Sequence, residues 1–167
     1  MTKGMQLARM SYGLPLFKLY LVREGKLKAK KVTVRSPKDA VGFLAPLAQA
    51  PEEHFISLHL NAKNQIIGLH EVSHGTLSAS LVHPREVFKA AMIANSHAIL
   101  VCHNHPSGAD LKPCLDDLNT TSQLVEAGSL LGVEVVDHII VGSITRDYWY
   151  SVREHHPEIW LGCRENC

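Results

Sequence analysis

The stretch HNHPSGADLKPCLDD, residues 103–117, sets His103 and His105 two apart, follows them with Pro106 and Gly108, and ends on the paired acids Asp116 and Asp117. Side chains of an extended backbone alternate with period two, so both imidazoles can face one point. A carboxylate on the first turn of a following helix would be a third ligand. The fourth tetrahedral position would then fall to water, the layout of a catalytic rather than a structural zinc site. Pro106, Ser107 and Gly108 permit the tight reversal that returns such a helix to the histidines. A polar turn with exposed histidines would use the same residue types. HxHP followed by a glycine and a helix-borne aspartate is what favours the metal.

These side chains need a strand before them and a helix after. AILVC (98–102) is a short continuous apolar run, as expected of a central strand buried on both faces, and the histidines follow its C-terminal end. A helix is expected from near Pro113 through LVEAGSLL, stopping around Gly132, with EVVDHIIVG as the next strand. Upstream, FISLHL (55–60) and QIIGLHEV (65–72) bracket the turn residues Asn61 to Asn64 and predict a hairpin. Pro84 opens a helix over REVFKAAMIA, with Val87, Ala91 and Ala94 on one face. Ser36-Pro37-Lys38-Asp39 predicts another, with Ser36 as N-cap, a buried stripe of Val41, Leu44 and Ala48, and an end at Pro51. LFKLYLV (16–22) and KKVTVR (30–35) suggest a first, accessory hairpin. Helices between strands imply one α/β domain, with no repeat or low-complexity tract after residue 36.

Composition agrees with that reading. The chain has 167 residues, 46% hydrophobic and 20% charged, which suits one globular core and not a disordered segment. No apolar run reaches membrane-span length, and the first residues lack a signal peptide's apolar centre, so a cytoplasmic location without membrane contact is expected. Cys102, Cys114, Cys163 and Cys167 show no disulfide-framework spacing. Residues 1–38 hold ten of the 17 Lys and Arg and one acid, Glu24. Lys26, Lys28, Lys30, Lys31 and Arg35 could form a DNA-contacting arm, or a solvated basic strand beside an acidic body.

HNHPSG, with HPRE upstream (83–86) and EAG then DHIIVG downstream (126–128 and 137–142), resembles the bacterial RadC-type branch of the JAMM, or MPN-plus, metalloproteases. The likeness runs from about Ser36 to Tyr150, and the chain is similar to short members without an N-terminal helix-hairpin-helix module. It divides the chain into a basic extension (1–35), a JAB/MPN domain (36–154) and a tail (155–167). It implies a curved mixed β-sheet flanked by helices, of the cytidine-deaminase-like type. It also implies a zinc ion on two His and one Asp, and a glutamate that activates water for amide hydrolysis.

On this resemblance the zinc ligands are His103, His105 and an aspartate. Counting from the histidine points to Asp116; counting back from EAG, and setting PCLDD against the family's PSxxD, points to Asp117. Asp117 is preferred, because a loop accepts an insertion more easily than a packed helix accepts a change of phase. Cys114 stands where the family has the serine that helps stabilise the oxyanion, and a thiol is a weaker donor. Loss of one such donor costs on the order of 100-fold to 1000-fold, which puts full activity in question. Cys114 could equally be a small packing residue. The base matches Glu53, with Glu52 its neighbour and Glu71 a rival; Glu52 and Glu53 could also be solvated acids at a strand edge. Asp137 could orient His138, itself read as a hydrogen-bonded core group. His83 is read as structural, and Glu86 as pairing on its helix face. His155, His156, Cys163 and Cys167 fit no common zinc-finger spacing.

Two functions follow. One is a zinc-dependent hydrolase cleaving a peptide or isopeptide bond in a peptide or protein substrate. The other is a binding module with a vestigial metal site, engaging DNA through the basic hairpin or another partner in a DNA-repair or mobile-element setting, with a homodimer left open.

Overall fold

The structure, a computed structural model, describes residues 32–75, 82–106, 111–142 and 148–162. The accessory hairpin lies outside these except for residues 32–35. There Thr33 bridges Gln65, and Val34 is buried.

Five strands form one mixed sheet in the order β2-β1-β3-β4-β5. They are β1 (His54–Leu60), β2 (Ile66–His74), β3 (Ala98–His105), β4 (Glu134–Gly142) and β5 (Trp149–Ser151). The predicted hairpin is β1–β2, antiparallel, and β3 lies antiparallel to β1 and parallel to β4. β3 is therefore central, and its continuous apolar run is explained because both of its faces are covered. Helices α2 (Pro84–Ile93), α3 (Leu115–Leu131), α4 (Val152–His155) and α5 (Glu158–Leu161) follow in chain order after α1 (Pro37–Phe43).

Period-two alternation divides the core between the two sheet faces. Phe55, Ile99, Val101 and Ile140 pack with Val87, Phe88 and Ala91 of α2 and Leu124 and Val125 of α3. Ile56, Leu58, Leu60, Leu100, Ile139 and Val141 pack with Ala40, Val41 and Leu44 around α1. The stretch after residue 155 adds Trp160 to the first face, where its indole N–H donates to the Val135 carbonyl at 2.7 Å. This is the α/β single domain, a mixed sheet flanked by helices, that the sequence predicts.

One expectation fails. The first helix does not run to Pro51; it is capped at Leu44, and Leu47–Gln49 forms a separate 3-10 turn. Pro46 is the reason, since a proline disfavours helical backbone in the residue before it and cannot donate within a helix.

The helix that closes the site is fixed at both ends. Gly132 takes the left-handed conformation, φ 68°, that ends α3. Gly128 of the EAG motif lets α3 meet β4: a Cβ there would stand 2.6 Å from the Val133 carbonyl oxygen and 3.1 Å from Phe88. This approach sets the helix height, and so the position of its first turn.

Candidate metal centre

His103 and His105 occupy the last residues of β3, on the face that carries Phe55 and α3. A ligand at this place lies beyond the carboxyl end of a central strand, where α/β folds commonly bind. His103, His105 and Asp117 each offer a ligand atom, all within 4.8 Å of one another. His103 Nε2 is 3.0 Å from His105 Nε2 and 3.4 Å from Asp117 Oδ1. An ion with bonds near 2.0 Å to tetrahedral ligands separates them by about 3.3 Å, so the donor set fits a zinc-sized cation.

A helix cap aims the aspartate. Cys114 is the N-cap of α3, and Asp117 is the third helical residue. Asp117 Oδ2 accepts the Cys114 N–H at 2.8 Å, and Cys114 Sγ accepts the Asp117 N–H at 3.3 Å. This reciprocal arrangement is a capping box, with cysteine and aspartate in place of the usual Ser/Thr and Glu/Gln. One carboxylate oxygen is held by backbone while the other faces His103. Asp117 is buried and Asp116 is exposed, so the structure brings only the former to the histidines.

The imidazole of His103 is held from behind. Its Nδ1 lies 2.8 Å from His138 Nε2, and His138 Nδ1 lies 2.6 Å from the Thr121 hydroxyl. Phe55 stacks on His103, with ring centroids 6.1 Å apart. Burial pushes the His103 pKa down to about 4, against the pull of Asp117's charge, and pushes His138 well below the ordinary value. Asp137 does not orient the His138 ring, as sequence reasoning allowed. Its carboxylate accepts from the His138 and Arg153 backbone N–H groups and from the Ser151 hydroxyl, joining β4 to the start of α4.

Glu53 precedes β1 on a clamped backbone. Asn104, between the two histidines, accepts the His54 N–H at 2.8 Å and donates to the Glu52 carbonyl at 2.9 Å, while Gly75 N–H donates to the Glu53 carbonyl at 2.9 Å. Burial raises the Glu53 pKa; His105 lowers it and the Asp117 charge raises it, so this carboxyl feels both groups. Its neighbour Glu52 is exposed. Glu71 stands opposite Ile56 in the β1–β2 register and pairs with His54 at 2.5 Å, on the sheet face away from His103.

The other histidines and the helix acid that the sequence singled out have structural partners where they are described. His83 caps α2 by accepting the Arg85 N–H, and Glu86 pairs with Arg85 and Lys89. His155 bonds the Ser151 carbonyl and His156 bonds Glu158; Cys163 and Cys167 lie outside the described residues. Cys102 faces the α1 side, and burial raises its thiol pKa well above the ordinary value. Sequence reasoning missed Thr121 and Asn104. Asn104 had a signal, its place inside HNH; Thr121 had none.

A domain with this sheet and this His-His-Asp cluster defines a class, and the chain belongs to it: the RadC-like JAB domain family matches residues 34–157. The chain is 47% identical over 130 residues to a UPF0758 protein of Staphylococcus haemolyticus, covering 74% of this chain and 57% of the relative. A UPF0758 protein of Symbiobacterium thermophilum is 47% identical over 122 residues, 72% of this chain and 52% of its own. One of Methanosarcina acetivorans is 44% identical over 128 residues, covering 76% and 56%. The chain thus spans about half the length of the curated relatives it matches. Among the described residues no helix is long and apolar enough to cross a membrane.

Proposed function

We propose that this domain is a zinc-dependent hydrolase acting on peptide or isopeptide bonds, with His103, His105 and Asp117 as ligands. The supporting observation is the convergence of those three side chains, with ligand atoms all within 4.8 Å of one another and His103 Nε2 3.0 Å from His105 and 3.4 Å from Asp117. When bound, the ion would acidify a water molecule and polarise the scissile carbonyl. Glu53 takes the proton of the attacking water and passes it to the leaving amine, and its partial burial raises its pKa in the direction that favours this exchange. Asn104 and Gly75 hold the Glu53 backbone while it does so. Cys114, one helical turn before Asp117, stands as the donor toward the developing oxyanion. A thiol donor is weak, so turnover is slow.

The test uses the zinc-loaded chain against a panel of peptides and isopeptide-linked conjugates. Cleavage should fall at least about 100-fold in Glu53→Gln with zinc still bound. Cleavage indifferent to Glu53 would refute the assignment.

The weak donor also supports a second reading, a binding module with little or no turnover that contacts DNA through Lys26, Lys28, Lys30, Lys31 and Arg35. Salt-sensitive DNA binding abolished by neutralising Lys28, Lys30 and Lys31 would support it. Binding unaffected by those changes would remove it.

A further inference from the structure

The hydrogen bonds behind His103 admit one arrangement of protons. The Thr121 hydroxyl lies 2.6 Å from the Asp117 carbonyl oxygen, which can only accept, so the single hydroxyl proton is committed there. His138 Nδ1, 2.6 Å from the same hydroxyl oxygen, must then donate to it. His138 is fully buried, and the carboxylate of Asp137 is occupied by backbone N–H groups and Ser151. Among the described residues no carboxylate is left to pair with a cationic ring there, so His138 is neutral and carries only that proton. Its Nε2 is therefore an acceptor. His103 Nδ1, 2.8 Å away, must be the donor.

We propose that Thr121 and His138 are positioning residues that order protons along the chain Asp117 carbonyl, Thr121, His138, His103, so that His103 is held as the Nδ1–H tautomer with Nε2 directed at the metal position. The proposal rests on the ligand assignment above and deepens it. Asp117 enters twice, its carboxylate as ligand and its carbonyl as the anchor that starts the proton order. Two of the three proposed ligands, His103 on β3 and Asp117 on α3, are thereby set by one network. Metal-binding histidines usually donate their second ring N–H to a fixed acceptor, most often a carboxylate, carbonyl or water, and losing it typically costs about 10- to 100-fold in metal affinity; here the acceptor is His138 Nε2.

Two measurements test this. In the unaltered metal-free protein at pH 7.5, long-range 1H–15N correlation spectra of the imidazoles should show a protonated Nδ1 and an unprotonated Nε2 for His103, and a protonated Nδ1 for His138. A His103 ring protonated at Nε2 and bare at Nδ1 would overturn the proposal. Zinc affinity, measured by competition with a chelator, should fall about 10- to 100-fold in the isosteric Thr121→Val and return to within a few-fold of the original in Thr121→Ser. Thermal melting of the metal-free variants separates a positioning effect from a folding one. Unchanged affinity in Thr121→Val, with the unaltered chain binding zinc, would overturn the relay and leave the ligand set standing. An unaltered chain that takes up no zinc would instead defeat the ligand set, and the spectra would still decide the proton order.

Discussion

Two groups of histidines share one face of the sheet, one on β3 and β4 and the other on β1 and β2 beside Ser57, and they differ in how their polar atoms are used. Around His103 and His138 the ring nitrogens meet partners in a continuous chain ending on helix α3. Around His59 and His70, under α2, His59 Nδ1 meets the Ser96 hydroxyl, but His59 Nε2, His70 Nδ1 and the Ser57 hydroxyl find no hydrogen-bond partner among the described residues. Burial depresses the histidine pKa in both groups, to about 4 for His59 and for His103. A shifted pKa thus does not separate a site from a buried polar pair. Convergence on a shared point, with a carboxylate aimed there, does.

Exchanging one histidine from each group breaks the comparison most sharply. His103→Ala should lower zinc affinity more than about 100-fold, whereas His59→Gln should leave zinc content unchanged, as elemental analysis after dialysis can show. Within the first group, Asp117→Asn should reduce affinity comparably and Asp116→Asn should not, since only Asp117 is buried beside His103. A similar loss in both variants would mean that the capping box does not select the ligand.

Acid stability sharpens the contrast for the second group. The His59 pKa is about 4 when folded and near 6.5 when unfolded, so the unfolded chain binds the extra proton between those values. His59 therefore contributes nothing adverse above pH 6.5 and destabilises the fold as pH falls from about 6.5 toward 4, by about 1–3 kcal/mol in total. Denaturant melts of metal-free protein should show a shallower acid slope in His59→Gln than in the original chain. The smallest effect is expected at Cys114→Ser. A hydroxyl accepts the Asp117 N–H better than sulfur does, so stability should rise by a few tenths to about 1 kcal/mol, read as a higher melting temperature.

The sequence made the His-His-Asp cluster legible because both requirements are local: HxH on a strand end and an acid on the next helical turn. It left Asp116 against Asp117 open because the helix start was placed only near Pro113. Once Cys114 is the N-cap, the third helical residue is Asp117 and the choice follows from capping geometry. The early end of α1 was legible in Pro46 and was missed in favour of Pro51. The His138–Thr121 relay was not legible, since its members are 17 and 35 residues from their partners and meet only through the packing of α3 on β4. Gly128, visible only as part of EAG, permits that packing.

The most direct test is the zinc content of the purified chain after equilibration in a zinc buffer, alongside His103→Ala and Asp117→Asn. One equivalent in the original chain and loss of it in both variants is the predicted result. No zinc in the original chain, or one equivalent retained in both variants, would contradict the account.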